Sequence, residues 1–147
     1  MAKEVFKSVA TLLEGVTVEC VSRDHKFILD EPPELGGADK GMNPCEALLS
    51  ALGACKCIVA GAFSKAHGID IQDLKIEVEG DLDPDGFLGK NKEAKIGFSE
   101  IRTTINIKSS SDEDKIKEFI EFVEKTCPIA DTLVNTANYT TDVNIEG

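Results

Sequence analysis

At 147 residues the chain is long enough for one domain with a real core and too short for two ordinary ones, so residues 1–147 read as a single domain. Average hydrophobic content with scattered Pro and Gly excludes a disordered chain, and a formal net charge of −11 with no offsetting Lys/Arg cluster excludes nucleic acid as a partner and disfavours an anionic membrane surface. Five irregularly spaced cysteines do not make a disulfide framework, and Met1-Ala2-Lys3-Glu4-Val5 lacks the apolar core of a secretory signal. The expectation is a cytoplasmic protein with reduced thiols.

The chain opens with period-2 or β-branched runs at Val5 to Leu13, Val16 to Arg23 and Lys26 to Leu29, broken at Gly15 and at Arg23-Asp24-His25, which predict a three-strand meander. Glu31-Pro32-Pro33, Gly36-Gly37 and Asp39-Lys40-Gly41 then make a turn-rich connection. Asn43-Pro44 suits a helix start, and an Ala/Leu-rich run to Ala66, closed by His67-Gly68, predicts a long central helix. Its most apolar part, residues 47–63, is interrupted by Lys56 and is shorter than the roughly 20 residues that span a bilayer, so no membrane segment is expected.

Leu74 to Leu82 and Glu100 to Lys108 alternate as a second strand pair. Ser110-Ser111-Asp112-Glu113 has the form of a capping box with Ser110 at the N-cap, followed by Ile116, Phe119, Ile120, Val123 and Cys127 on one helical face. Pro128 stops that helix. A helical turn around Ile129 to Asn135 and a last strand from Tyr139 to Ile145 give an α+β chain of order βββ-α-ββ-α-β, with the central helix against antiparallel sheet.

Relative to Cys55, residues Leu48, Ala51, Leu52, Ile58, Val59 and Ala62 lie three, four or seven positions away, placing the thiol in an apolar helical stripe. The opposite face carries Ser50, Gly53, Cys57, Ala60, Gly61 and Ser64, small residues that admit another backbone, so a second subunit related by a twofold axis would cover this helix. Taken alone, Cys55 and Cys127 read as small core residues. An apolar site raises a thiol's pKa, so reactivity at Cys55 needs a cation, for which the options in strand or loop settings are Arg23, Arg102 and the lysines near them. Cys57 lies about 200° around the helix from Cys55 and cannot pair with it, and Cys55, Cys57, Cys127 and a histidine lack any recognised zinc-ligand spacing. His67, next to Gly68, reads as a helix C-terminal residue favoured by the dipole.

The segment Gly41-Met42-Asn43-Pro44-Cys45-Glu46-Ala47-Leu48-Leu49-Ser50-Ala51-Leu52-Gly53-Ala54-Cys55 resembles the helix signature of the OsmC/Ohr family (osmotically inducible protein C and organic hydroperoxide resistance protein), and Cys127-Pro128-Ile129-Ala130-Asp131-Thr132-Leu133 resembles its second signature. The resemblance extends over essentially the whole chain. It implies an intertwined homodimer with sheets formed by both chains, and a peroxidase that reduces organic hydroperoxides without metal or organic cofactor. It further implies that Cys55 is the peroxidatic thiol, passing through a sulfenic acid, and Cys127 the resolving thiol that closes a Cys55-Cys127 disulfide, reopened by an external dithiol. An assisting Arg and Glu map onto Arg23 and Glu46.

The chain departs from the hydroperoxide-resistance branch in one respect: the position directly after the proline is Cys45, with Glu46 one residue later, about 100° further around the helix. Glu46 precedes Cys55 by nine positions, about 13 Å along a continuous helix and about 180° around it, so acting on the thiol would require a helix break or donation across a dimer interface. Its other reading is an acid that complements the helix N-terminus. The apolar stripe around Cys55 favours alkyl or fatty hydroperoxides over hydrogen peroxide. Two further readings stay open: a non-catalytic binder of a hydrophobic ligand, and a thiol or sulfur-transfer protein using Cys45, Cys55 or Cys57.

Overall fold

The computed structural model describes residues 2–147 and places an N-terminal three-stranded antiparallel sheet, β1 (Val9–Leu12), β2 (Val18–Ser22) and β3 (His25–Leu29), ahead of a long helix α1 (Pro44–Phe63). A hairpin of β4 (Asp73–Asp81) and β5 (Glu100–Lys108) follows, its strands joined through a single helical turn α2 (Pro84–Phe87), and then α3 (Glu113–Thr126) and the short α4 (Pro128–Val134). This is the expected α+β architecture of antiparallel sheets and a central helix. Contacts divide the chain into two units, Met1–Ser50 and Ala51–Gly147, with the boundary inside α1.

In the first unit the meander is in register from Val9↔Val21 to Leu12↔Val18 and from Val18↔Leu29 to Ser22↔His25. Asp30, at the end of β3, organises what comes next. Its buried carboxylate accepts hydrogen bonds from the Thr17 hydroxyl at 2.8 Å and from the Glu31, Ala38 and Lys40 N–H groups at 2.8, 3.3 and 3.3 Å. One side chain thus satisfies donors across the connection that the prolines and glycines keep out of any ladder. Burial pushes this carboxyl up, but the hydrogen bonds from Glu31, Thr17, Ala38 and Lys40 outweigh it, and the net pKa lies below the ordinary value.

Helix α1 starts with a reciprocal cap: the Glu46 N–H donates to Asn43 Oδ1 at 2.8 Å, and the Asn43 N–H donates to Glu46 Oε1 at 2.9 Å. Asn43 is therefore the N-cap and Pro44 the first helical residue, where its missing N–H costs nothing. The far end closes as a Schellman turn, in which Gly68 takes φ 67° and the Ile69 N–H reaches Ser64 O at 2.8 Å. Twenty residues of this composition are long and apolar enough to cross a bilayer, which corrects the shorter estimate from sequence. Its central lysine, Lys56, is instead tied to α3 and β5.

The second unit has its core where α1 meets α3: Val59, Ala60, Ile69, Phe119 and Val123 are buried together, with Cys55, Ile71, Leu74, Ile116 and Phe122 packed around them. The buried face of α1 is Leu52, Gly53, Lys56, Val59 and Ala60. This corrects the expected stripe: Ile58 is 70% exposed, Leu48 and Ala51 are exposed, and small residues assigned to the opposite face lie inside, because Gly53 and Ala60 allow close packing. A Cβ on Gly53 would meet Val78 Cγ2 of β4 at 3.3 Å. The hairpin alternates throughout, with Leu74, Ile76 and Val78 sharing the inward face with Thr103, Ile105 and Ile107. Phe98 lies over Gly80, where a Cβ would fall 2.6 Å from its ring. Outward, Arg102 pairs with Asp81 at 2.8 Å and with Glu100 at 3.1 Å, so this arginine braces the sheet surface.

Three further expectations change. The N-cap of α3 is Asp112, not Ser110, because Ser110 Oγ donates to Asp70 Oδ2 at 2.8 Å and Ser111 Oγ accepts the Asp70 N–H at 2.9 Å, which spends both hydroxyls on the loop after α1. The His67 ring lies against Phe122 and Phe119, with centroids 4.3 and 5.4 Å apart, so its role is packing among aromatic rings. The segment expected as a last strand, Tyr139 to Ile145, has no ladder among the described residues, and Tyr139 is 91% exposed. Alternation supplies a strand's side-chain pattern, but a strand also needs a backbone partner.

Asp30 gives a pH test. Its folded pKa is depressed, so the stability it confers is present above the unfolded value of 3.8 and is lost as pH falls through the folded value. Urea midpoints measured from pH 7 down to pH 3 should show Asp30→Asn less stable at neutral pH and with a shallower decline on the acid side than the wild type.

Candidate thiol site

Two elements that begin far apart in sequence deliver the site. Cys55 lies in the middle of α1, half-buried, and Cys127 is the residue between α3 and α4, 1% exposed. Cys127 is the C-cap of one helix and the N-cap of the next, with φ −69° and ψ 113°, an extended conformation that Pro128 enforces on its predecessor. Its Sγ accepts the Ala130 N–H at 3.4 Å. The Ile129 N–H of the same turn and the Cys127 thiol both stand close enough to Cys55 to shift its ionisation. All five cysteines are free thiols, with Cys20 buried in β2, Cys45 exposed and Cys57 half-buried.

The environment of Cys55 pulls in two directions. Burial pushes its pKa up, and so do the hydrogen bond to Cys127 and that group's charge. The Ile129 N–H and the Lys56 ammonium pull it down, and the net shift is upward. Lys56 is only 4% exposed. Its Nζ donates to Glu124 Oε1 at 2.8 Å, to Glu124 Oε2 at 2.9 Å and to Thr103 Oγ1 at 3.2 Å, which engages all three of its donors. Lys56 and Glu124 also border a cavity of about 580 Å³ whose apolar wall includes Leu52, Phe98, Ile101 and Leu133.

Of the four residues that the sequence singled out, Cys55 and Cys127 are brought together. Arg23 and Glu46 belong to the other unit. Arg23 is the first residue of the β2–β3 turn, with φ 54°, exposed and without an ion pair among the described residues. Glu46 uses its carboxylate in the α1 cap, the structural reading of that acid. Lys56 and Glu124 were missed as site residues. Lys56 stood out in the sequence only as an interruption, although its spacing from Leu52, Gly53, Val59 and Ala60 is that of a single buried face, and a charge there requires a partner.

Comparison with known proteins supplies a family. The profile of the OsmC-like protein family matches residues 37–142. The chain is 31% identical over 136 residues to a protein of Mycoplasma genitalium named hydroperoxide reductase, the match covering 92% of each chain. It is 33% identical over 139 residues to a hydroperoxide reductase of Mycoplasma pneumoniae, again covering 92% of each. Among solved structures, an OsmC-like protein from Mycoplasma pneumoniae superposes with a TM-score of 0.80 at 31% identity, covering 92% of this chain and 91% of that one.

The opposing influences on Cys55 can be separated. In Cys127→Ala the hydrogen bond and the charge that raise the Cys55 pKa both disappear, so the pH midpoint for its alkylation by iodoacetamide should move down, read by peptide mass spectrometry across pH 6 to 10. A midpoint that stays or rises would show that Cys127 does not set this pKa.

Proposed function

This chain belongs to the OsmC-like protein family, and from that premise we propose that it is a thiol-dependent peroxidase acting on organic hydroperoxides, with Cys55 as attacking thiolate and Cys127 as its disulfide partner. The observation that carries this reading is the meeting of the two thiols at the α3–α4 junction, 72 residues apart in sequence. The hydroperoxide reductase names of two relatives agree with it.

In this mechanism the Cys55 thiolate attacks one oxygen of the O–O bond. The bond breaks, the leaving alkoxide takes a proton to become an alcohol, and Cys55 holds a sulfenic acid. Cys127 then attacks the Cys55 sulfur, releasing water and forming the disulfide, which an external dithiol reduces through a mixed disulfide. Arg23 orients the hydroperoxide and favours the thiolate, and Glu46 holds the guanidinium. For Glu46 that role means leaving its helix cap. No metal or organic cofactor takes part, and the substrate's apolar tail suits a site bordered by aliphatic and aromatic side chains.

The active form in this reading is a homodimer in which residues 1–147 make one domain, located in the cytoplasm. Support comes from apolar surface that a lone chain leaves open: Leu48, Ala51 and Ile58 along one side of α1, Val5 and Phe6 ahead of β1, and Tyr139, Val143 and Ile145 near the C-terminus. A second reading, a binder of hydrophobic ligands, is favoured by the cavity beside Lys56. Ligand retained through purification without hydroperoxide consumption would select it.

One equivalent of an organic hydroperoxide added to the reduced protein should give a Cys55-Cys127 disulfide, mapped by mass spectrometry. Cys127→Ser should trap a sulfenic acid on Cys55, and Cys55→Ser should abolish turnover. Neither disulfide in the wild type nor sulfenic acid in Cys127→Ser would end the peroxidase reading. Separately, Ile58→Glu should convert a dimeric wild type into monomer by size exclusion with light scattering, and a monomeric wild type would refute the homodimer.

A further inference from the structure

We propose that Lys56, held by Glu124 and Thr103, helps to activate and position Cys55: its ammonium favours the thiolate, and its ion pair sets α1 against α3 so that the two thiols meet. This rests on the reading of Cys55 as the attacking group, and it adds a cation from the neighbouring residue of the same helix.

The placement argues for it. Lys56 follows Cys55 directly, and Glu124 lies three positions before Cys127, one helical turn away on α3. The ion pair and the thiol pair therefore join the same two elements at the same level. Thr103 of β5 adds the third contact, so the ammonium is fixed from two elements besides its own. A buried ion pair is a poor device for stability, since desolvation offsets much of its attraction and an apolar pair of similar volume packs at least as well. A lysine retained among Leu52, Gly53, Val59 and Ala60 thus points to a use for its charge.

The groups around it fit that use. Across from Cys55 the titratable neighbour is Cys127, at the α3–α4 junction, and it raises the Cys55 pKa. The inward face of β4 presents Leu74, Ile76 and Val78, and the α3 side Ile116, Phe119 and Val123, with the His67 ring against Phe119 and Phe122. Glu124 of α3 faces the ammonium, and Glu100 of β5 borders the same cavity. Glu124 is partly solvated, so its opposing charge is the better screened of the two, whereas the ammonium is shielded from water beside the thiol. The Ile129 N–H adds a neutral contribution of the same sign.

The test compares full-length wild type, Lys56→Met and Lys56→Arg, measuring the rate of Cys55 alkylation by iodoacetamide from pH 6 to 10 together with the urea midpoint. Lys56→Met should raise the alkylation midpoint and slow alkylation at pH 7 by about 3- to 10-fold, because a smaller share of Cys55 is then thiolate. Lys56→Arg should stay near wild type. If Lys56→Met does not fold, the double variant Lys56→Met/Glu124→Leu, which leaves no buried charge unpaired, takes its place with the same expectation. An unchanged midpoint in the folded variant overturns the proposal, as does an equal rise in Lys56→Arg, which keeps the charge. Alkylation needs no hydroperoxide, so a shifted midpoint in a protein that consumes none would uphold Lys56 as an activator while removing the peroxidase reading.

Discussion

A charged side chain cannot lie in the interior without partners, and the second unit is arranged around that constraint. Lys56 sits on the buried face of α1, and satisfying its three donors requires a carboxylate from α3 and a hydroxyl from β5 at defined positions. Once Glu124 and Thr103 are in place, the axial register of α1 against α3 is set, because a one-residue slip would turn the lysine by about 100° and leave the charge unpaired. The apolar contacts of Val59 and Ala60 with Phe119 and Val123 supply most of the driving force but tolerate sliding far better than an ion pair does.

The meeting of the thiols follows from that register and from one feature of covalent geometry. Pro128 prevents α3 from continuing and holds Cys127 extended, so the chain turns and starts α4 at once. The turn leaves N–H groups of the new helix unpaired: that of Ala130 donates to Cys127 Sγ, and that of Ile129 favours the Cys55 thiolate. Backbone groups that every helix start must satisfy here act on the two thiols. Burial works against ionisation at the same place, and the balance between these forces governs how readily Cys55 loses its proton.

The first unit uses its charges differently. Asp30 gathers N–H groups from the connection after β3, and Glu46 closes the first turn of α1 with Asn43. Both are structural uses of carboxylates, at sites where backbone donors would otherwise lack partners. They explain why a segment rich in proline and glycine ends so cleanly in a helix.

The sequence by itself determined the local elements, because each depends on neighbours within a few residues: the meander, the proline-started helix, the alternating hairpin, whose second strand matches its predicted bounds, and the stop at Pro128. It also marked Cys55 and Cys127 through their motifs. Tertiary structure decided the rest. Ser110 looked like a cap until Asp70 claimed its hydroxyl, and the alternating run from Tyr139 became a strand only on paper, since pairing depends on a partner that no local pattern contains. The buried face of α1 was misplaced because apolar residues lie on both sides of that helix, and composition cannot say which side packs. What resolved it was Lys56, read in sequence as an interruption and found in the fold to be central, because the worth of a buried charge lies in partners 47 and 68 residues away.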